Sequence, residues 1–459
     1  MNCVKHSDIS MDEKWKRRDL FGFIRATMWV ASMYPWNADN QKTGFLKYSI
    51  ELLDVCFEIF NYFVCGHIAI LYICTILINY DKGDLEFIVN CFLQTIIYIW
   101  AIFMKLYFRR FQSKLLHETI SFMNEKHQIR SARGFTYVTM EGPIRFTNIW
   151  AKSLIYSCQV AALFWLALPI AYRDKSLPLA CWYPIDHKQP IVYEVIFFLQ
   201  GMGQIQISAA FTAASGLYMV FGILISGQYD ILFCSLKNVL ATSYLEVGAT
   251  LTELRKLQEA QSVADAELNQ YSYAIEERTP LEELIRERDA NNITDFSASF
   301  NRAFKSCIAQ HRFIIAALRK IERFFNPIWL CKTGEVTFLV CLVAFVWTKS
   351  TSANSFIRML ILGQYLVLVL FEMFVICYFA ELVYQNSQRC GDALWRSPWQ
   401  LCMRQVRSHY LFFIMNGQKH FQLTAGKIYN LNVERFRSII TTAFSVLTLL
   451  RKMDARGNL

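Results

Sequence analysis

The sequence predicts an all-α membrane protein of seven transmembrane helices, and three observations carry that expectation. Hydrophobic residues make up 54% of the 459 residues and charged residues only 18%, where ordinary soluble domains carry about a quarter charged. The apolar residues are gathered into long runs, several near the ~20 residues that a helix needs to cross the hydrocarbon core. Lys and Arg flank these runs instead of interrupting them.

Seven spans follow from hydropathy. The first four are Val55–Ile78, Phe87–Tyr107, Ile149–Ala171 and Ile191–Ile225. The fifth, Val336–Trp347, is extended backwards through Pro327; the sixth is Phe356–Phe379 and the seventh Ser438–Leu450. The fifth and seventh each hold about a dozen apolar residues and need their flanks to reach across. Met1 to Lys47 is polar and lacks an early apolar core, so no cleavable signal peptide is expected and the first span serves as an uncleaved anchor.

Basic residues set the orientation. Most of the Lys and Arg residues fall in the N-terminal segment, the loop Arg109–Arg145, the stretch Ser226–Phe325 and the segment Gln385–Lys427. The positive-inside rule then places the N-terminus in the cytosol and, after seven spans, the C-terminus outside. The expected organisation is a cytosolic segment 1–48, four spans in 49–225, and a cytosolic connection 226–325 holding an acidic insert, 245–296. Two spans in 326–382, a cytosolic segment 383–432 and a last helix with a short outer tail in 433–459 complete it. The insert, with Glu253, Asp265, Glu282 and Asp289 among its acids, reads as a solvated helical or disordered excursion.

Composition excludes several classes. The net charge of +10 is not a nucleic-acid footprint, because the basic residues flank apolar runs and form no face interleaved with aromatics. The 14 cysteines contain no C-x-x-C pair and lie mostly inside apolar stretches, as buried thiols do, so neither metal nor disulfide scaffold is expected. A phosphate-binding glycine loop, H-E-x-x-H and a nucleophile elbow are all missing, so an enzyme is not expected, nor a cofactor. No internal repeat points to an inverted-repeat transporter. Ionisable residues near span ends read as structural: Lys105 and Lys152 as snorkelling to the cytosolic interface, Lys332 and Glu335 as an i, i+3 pair.

Two patterns could carry function. Ser438, Thr441, Ser445, Thr448 and Lys452 recur three or four residues apart, making one stripe along the seventh helix. Two readings stand: the hydroxyls bond carbonyls four residues back, or the stripe lines a water-filled pore closed by apolar neighbours. Aromatic and polar residues also gather in the outer halves of other spans: Phe92, Phe164, Trp165, Gln204, Ser208, Phe211 and Tyr365. They suit either ordinary helix packing or a mostly apolar cavity for a volatile or small lipophilic organic ligand.

The polar connections resemble those of the insect odorant receptor family. Cys377-Tyr-Phe-Ala-Glu-Leu, leading to Asp392-Ala-Leu-Trp-Arg-Ser-Pro-Trp399, resembles the segment after that family's sixth helix. Gln418-Lys, Leu423-Thr-Ala-Gly426, Phe436, Ser438-Ile-Ile and Ser445 resemble its signature into the seventh. Gly227-Gln-Tyr-Asp-Ile-Leu, Cys234-Ser-Leu-Lys-Asn238, Cys307-Ile, His311 and the outer loop Leu177–Asp186 fit as well. The resemblance covers nearly the whole chain and is strongest after residue 300. Phe444-Ser-Val-Leu447 stands where the family commonly has Tyr-Ser-Tyr-Phe, and the acidic insert is longer than in many members. The seventh helix differs from that of the shared co-receptor, and the T-Y-x-x-x-x-x-Q-F of gustatory receptors does not occur.

The resemblance implies a subunit of a tetrameric, ligand-gated, non-selective cation channel in the plasma membrane of sensory-neuron dendrites. The chain would be a tuning subunit that binds odorant and assembles with the co-receptor among membrane lipid. Cytosolic parts of helices four to seven would form a central anchor, and the seventh helices would line the pore. By position it implies ligand contacts from Val89, Phe92, Leu93, Cys158, Ala161 and Trp165. Leu449 would fall at a hydrophobic gate beyond Ser445 and Thr448, and Lys452 near the outer mouth. A gustatory-type channel that needs no co-receptor is the alternative, followed by a metabotropic seven-helix receptor with reversed orientation.

Overall fold

A computed structural model describes residues 19–36, 45–80, 85–172, 177–186, 189–265, 271–286, 295–349, 355–395, 397–417 and 419–455. Thirteen helices occur among these residues, seven of them longer than 20 residues. The long ones are α2 (Phe45–Asn79), α3 (Leu85–Leu106), α5 (Glu141–Tyr172), α6 (Pro190–Lys237), α10 (Phe296–Lys349), α11 (Ser355–Trp395) and α13 (Val433–Ala455). Each contains one expected span. Four stretches are long and apolar enough to cross a membrane by composition alone: Lys47–Asn79, Phe87–Phe111, Ile191–Lys237 and Leu366–Trp395. Helices α5, α10 and α13 do so only together with polar or partly apolar flanks, as the short fifth and seventh runs had required.

Helix α6 is the centre of the molecule. It begins with Pro190 at its first turn, where the missing N–H is not needed, and is apolar all round, as a buried helix must be. In its most apolar window 83% of residues are buried, against 39% in Lys47–Asn79. Around it pack α2, α3, α5, α10, α11 and the short amphipathic α1 (Gly22–Val30). The rings of Phe21 and Phe221, 5.1 Å apart, seat α1 on α6.

Helix α3 runs into a π turn, Tyr107–Phe111, and then α4 (Ser113–Lys126). One extra residue per turn re-aims side chains. Here Arg109 turns inward, 2.8 Å from Asp54 and 2.9 Å from Glu58 on α2. Arg110 grips both oxygens of Glu58, donating to Oε2 at 2.7 Å and to Oε1 at 2.9 Å.

The segment after α6 is held to the rest of the molecule at a few buried points. Helix α7 (Val239–Val247) ends on Gly248 at φ 94°, a left-handed cap that a side chain would oppose. Helix α8 (Leu251–Asp265) opens with a capping box, in which Thr250 N–H donates to Glu253 and Glu253 N–H to Thr250 Oγ1. Leu254 and Leu257 bury one face of α8 while most of its other residues are exposed, as in a solvated helix docked by one stripe. The strands β1 (Thr136–Tyr137) and β2 (Glu277–Arg278) pair antiparallel, Thr136 opposite Arg278. Asp230 on α6 holds the return by accepting the N–H groups of Ser272, Tyr273 and Ala274 at 2.8–3.1 Å. The short α9 (Leu281–Arg286) follows; residues 266–270 and 287–294 of the insert lie outside the described residues.

The N-terminal half of α10 packs on α12 (Met403–Gly417) through stacked rings, with Phe304 and Tyr410 6.2 Å apart. Strands β3 (Thr424–Ala425) and β4 (Tyr429–Asn430) form a hairpin turned by Gly426 and Lys427, both at positive φ. Asn326, just before the in-helix Pro327, clasps this hairpin: its Nδ2 donates to Thr424 O at 2.7 Å and its carbonyl accepts from Gly426 N–H at 3.1 Å. Asn432 then caps α13, Oδ1 accepting from Arg435 N–H at 2.7 Å.

Candidate ligand crevice and pore helix

On α6, Gln204, Ser208, Phe211 and Ser215 fall at helical spacing and are each only partly buried among fully buried neighbours. They form one stripe that faces α5, α10 and α11. Ser208 Oγ donates to the carbonyl of Cys158 on α5 at 3.2 Å, and Cys158 and Ala161 are likewise half-buried. Two of the sequence-predicted ligand residues, Cys158 and Ser208, therefore meet across the α5–α6 seam, and Gln204 and Phe211 share the Ser208 face of α6.

The other predicted residues are placed differently. Val89 and Leu93 on α3 are buried in the main core, while Phe92 is 41% exposed and meets Phe338 of α10 edge-on at 6.1 Å. The side chains of Trp165 and Tyr365 lie outside the described residues.

The lower end of the stripe is charged. Lys332 on α10 places its ammonium 2.7 Å from Glu372 Oε2 on α11 and 3.1 Å from Glu335 Oε2. It also stands over the Phe211 ring, 5.3 Å from the centroid, within cation–π range. Ser215 Oγ donates to Glu372 Oε1 at 2.5 Å. Sequence reasoning saw Lys332 and Glu335 but overlooked Glu372 and Ser215. The signal was present: Glu372 is a carboxylate well inside the sixth span, and such residues mark function by default.

Lys105, expected to snorkel, does not. It is fully buried and donates to Gln206 Oε1 at 3.0 Å, because the carboxamides of α2 and α6 offer acceptors closer than the interface. Lys152 is exposed, with its ammonium over Phe23 at 5.6 Å. On the outer side, Gln200 pins the loop 177–186 by accepting from Leu179 N–H and donating to Leu179 O, at 3.0 and 3.2 Å. Thr75 Oγ1 accepts from Trp182 N–H at 2.7 Å. The 12 described cysteines are free, and seven of them are buried.

Helix α13 has two faces. Ile439 and Ala443 are buried, and Phe436 meets Phe374 of α11 at 5.6 Å. Ser438, Thr441, Ser445, Thr448 and Lys452 are all exposed, and Leu449 is 58% exposed. Thr441, Ser445 and Thr448 donate to carbonyls four residues back at 2.8–2.9 Å. Back-bonding and an exposed hydroxyl face coexist, so the two readings of the stripe are not exclusive. At the base of α13 a cavity of about 520 Å³ is lined by Glu381, Tyr384, Gln385, Gln422 and Glu434 among others.

The family model described as 7tm Odorant receptor matches residues 83–444. The chain belongs to the seven-transmembrane odorant receptor family. It is 61% identical over 441 residues to Odorant receptor 83a of Drosophila melanogaster, covering 96% of this chain and 97% of that one. To Putative odorant receptor 85e of the same species it is 34% identical, covering 86% and 84%. The solved structure of the insect olfactory receptor OR5 from Machilis hrabei in complex with eugenol shares the fold, with a TM-score of 0.67 at 13% identity. It covers 97% of this chain and all of that one. This odorant receptor is thus a multi-pass, all-helical membrane receptor and not an enzyme.

Proposed function

We propose that this odorant receptor is a tuning subunit of a tetrameric, ligand-gated, non-selective cation channel. It binds a volatile or small lipophilic molecule and assembles with a shared co-receptor in the plasma membrane of sensory-neuron dendrites. The observation that carries this reading is the pairing of a half-buried polar and aromatic stripe on α6, beside α5, with an exposed hydroxyl face on α13, joined through α10, which packs against both α6 and α13. A ligand that shifts α6 against α10 acts through one helix on the pore. The N-terminus is cytosolic in this reading, and 226–325 with 383–432 make the anchor between subunits.

The deciding experiment is an odorant panel on cells expressing this chain with and without the co-receptor. The expected result is odorant-evoked cation current with the co-receptor alone failing to reproduce the profile, and no current from this chain alone. Current from this chain alone would favour a gustatory-type homomer. Signals abolished by blocking G proteins would favour a metabotropic receptor.

A further inference from the structure

The half-buried stripe on α6 ends on a partly exposed carboxylate, and this sets a chemical preference within the odorant-receptor reading on which it rests. Going down α6, the hydroxyls of Ser208 and Thr212 are already committed, to Cys158 O and to Ser208 O. The stripe then reaches Ser215 and the Glu372 carboxylate. Of the three charged side chains there, Glu372 is 20% exposed, against 3% for Lys332 and 7% for Glu335. Ser215 lies two turns along α6 from Ser208 on the same face, and its bond to Glu372 sets that carboxylate at the end of the stripe.

Ser215 and Lys332 each engage one Glu372 oxygen, and a carboxylate has about four acceptor positions. Acceptor capacity therefore remains at the foot of the stripe. Two carboxylates around one ammonium also leave formal negative charge in apolar surroundings, which strengthens a hydrogen bond from any donor brought to it.

We propose that Glu372 makes this receptor selective for small lipophilic molecules bearing a hydroxyl, the O–H donating to Glu372. A hydroxyl enters uncharged, whereas an ammonium must first shed its water. An ether of the same shape brings no donor and leaves the acceptor desolvated and unpaired, the kind of mismatch that discriminates most strongly.

The test uses the full chain with its co-receptor and matched probes: phenethyl alcohol and phenethyl methyl ether, hexyl alcohol and hexyl methyl ether, with phenethylamine as the cationic arm. Half-maximal concentrations are compared in wild type, E372Q and E372L at equal surface labelling. Wild type should prefer each alcohol by about ten-fold or more. E372Q should cut the preference severalfold and E372L abolish it, the ether responses rising as the unpaired acceptor is removed. If both variants fail to reach the surface, S215A, which keeps every charge and frees the Oε1 acceptor, should raise the ratio severalfold instead. A wild-type ratio near one overturns the proposal, as does a ratio that the substitutions leave intact, or a preference for the amine. In those cases other odorants still evoke current; a panel evoking none removes the receptor reading itself.

Discussion

The Lys105 ammonium on α3 donates to Gln206 Oε1 on α6 at 3.0 Å and to Asn61 Oδ1 on α2 at 3.4 Å. Gln206 Nε2 in turn donates to Val30 O at the end of α1, at 3.0 Å. One carboxamide thereby ties α3 and α1 to α6, and Lys105 brings in α2. No carboxylate belongs to this group, so the buried ammonium depends on neutral acceptors. Removing an acceptor strands the ammonium, whereas removing the ammonium leaves amides that can bond each other or the backbone. Gln206→Leu should destabilise by about 1–3 kcal/mol more than Lys105→Met. Thermal unfolding in detergent, with surface labelling in cells, measures the order; Lys105→Met proving the more damaging would refute it.

The sequence made the helices legible because apolar runs of membrane length have few other uses, and each expected span lies inside one long helix. It did not show how far the helices continue: α10 starts at Phe296, some forty residues before the expected fifth span. Its N-terminal half is amphipathic, and hydropathy alone does not register such a stretch. Of the ligand residues, Cys158 and Ser208 come together on one seam, while Val89 and Leu93 serve the core. Position along a span does not specify which way a side chain turns. The Lys332–Glu372 pair was invisible for a related reason: it joins residues 40 apart in sequence on different helices.

Orientation has a covalent reporter. The sequon Asn292-Ile-Thr294 lies in the connection expected inside the cell, although outside the described residues. It should carry no glycan in the intact protein, so treatment with a glycosidase should leave its migration unchanged. A glycosidase-sensitive shift lost in Asn292→Gln would reverse the proposed orientation.

Acid should loosen the packing around α4 and the N-terminal half of α10. Burial pulls the His311 pKa below its ordinary value of 6.5, with the Phe413 ring 5.9 Å away. Burial lowers His127 in the same way, and its Nε2 has no hydrogen-bond partner among the described residues. The unfolded chain takes up these protons near 6.5 while the folded chain resists until lower pH. Their stabilisation is therefore complete above that value and lost as pH falls below it. The unfolding temperature in detergent should drop between about pH 7.5 and 5.5, and drop less in His311→Phe. An identical slope in the variant would assign the effect to other groups.

The pore assignment rests on α13, whose outward face combines back-bonded hydroxyls with exposed Leu449 and Lys452. If four such helices surround the pore, Leu449 forms a ring of apolar side chains too narrow for stable water, and opening must widen it. Leu449→Ser should raise ligand-independent current, because a hydroxyl lowers the barrier to wetting. Lys452 sits three residues further along, towards the expected outer mouth, where fixed positive charge opposes cation entry. Its influence should be greatest at low ionic strength, since the screening length grows from about 10 Å at 0.1 M to about 30 Å at 0.01 M. Lys452→Gln should then raise cation conductance in dilute bath solution and change it less in concentrated salt. The effect will be modest in a mixed tetramer, where only some subunits carry this lysine. Both variants should be recorded at matched surface density, with leak, single-channel conductance and reversal potential as readouts. Leak and conductance that stay at wild-type values in both would mean that the hydroxyl face of α13 packs against lipid or a neighbouring subunit, and that ions pass elsewhere.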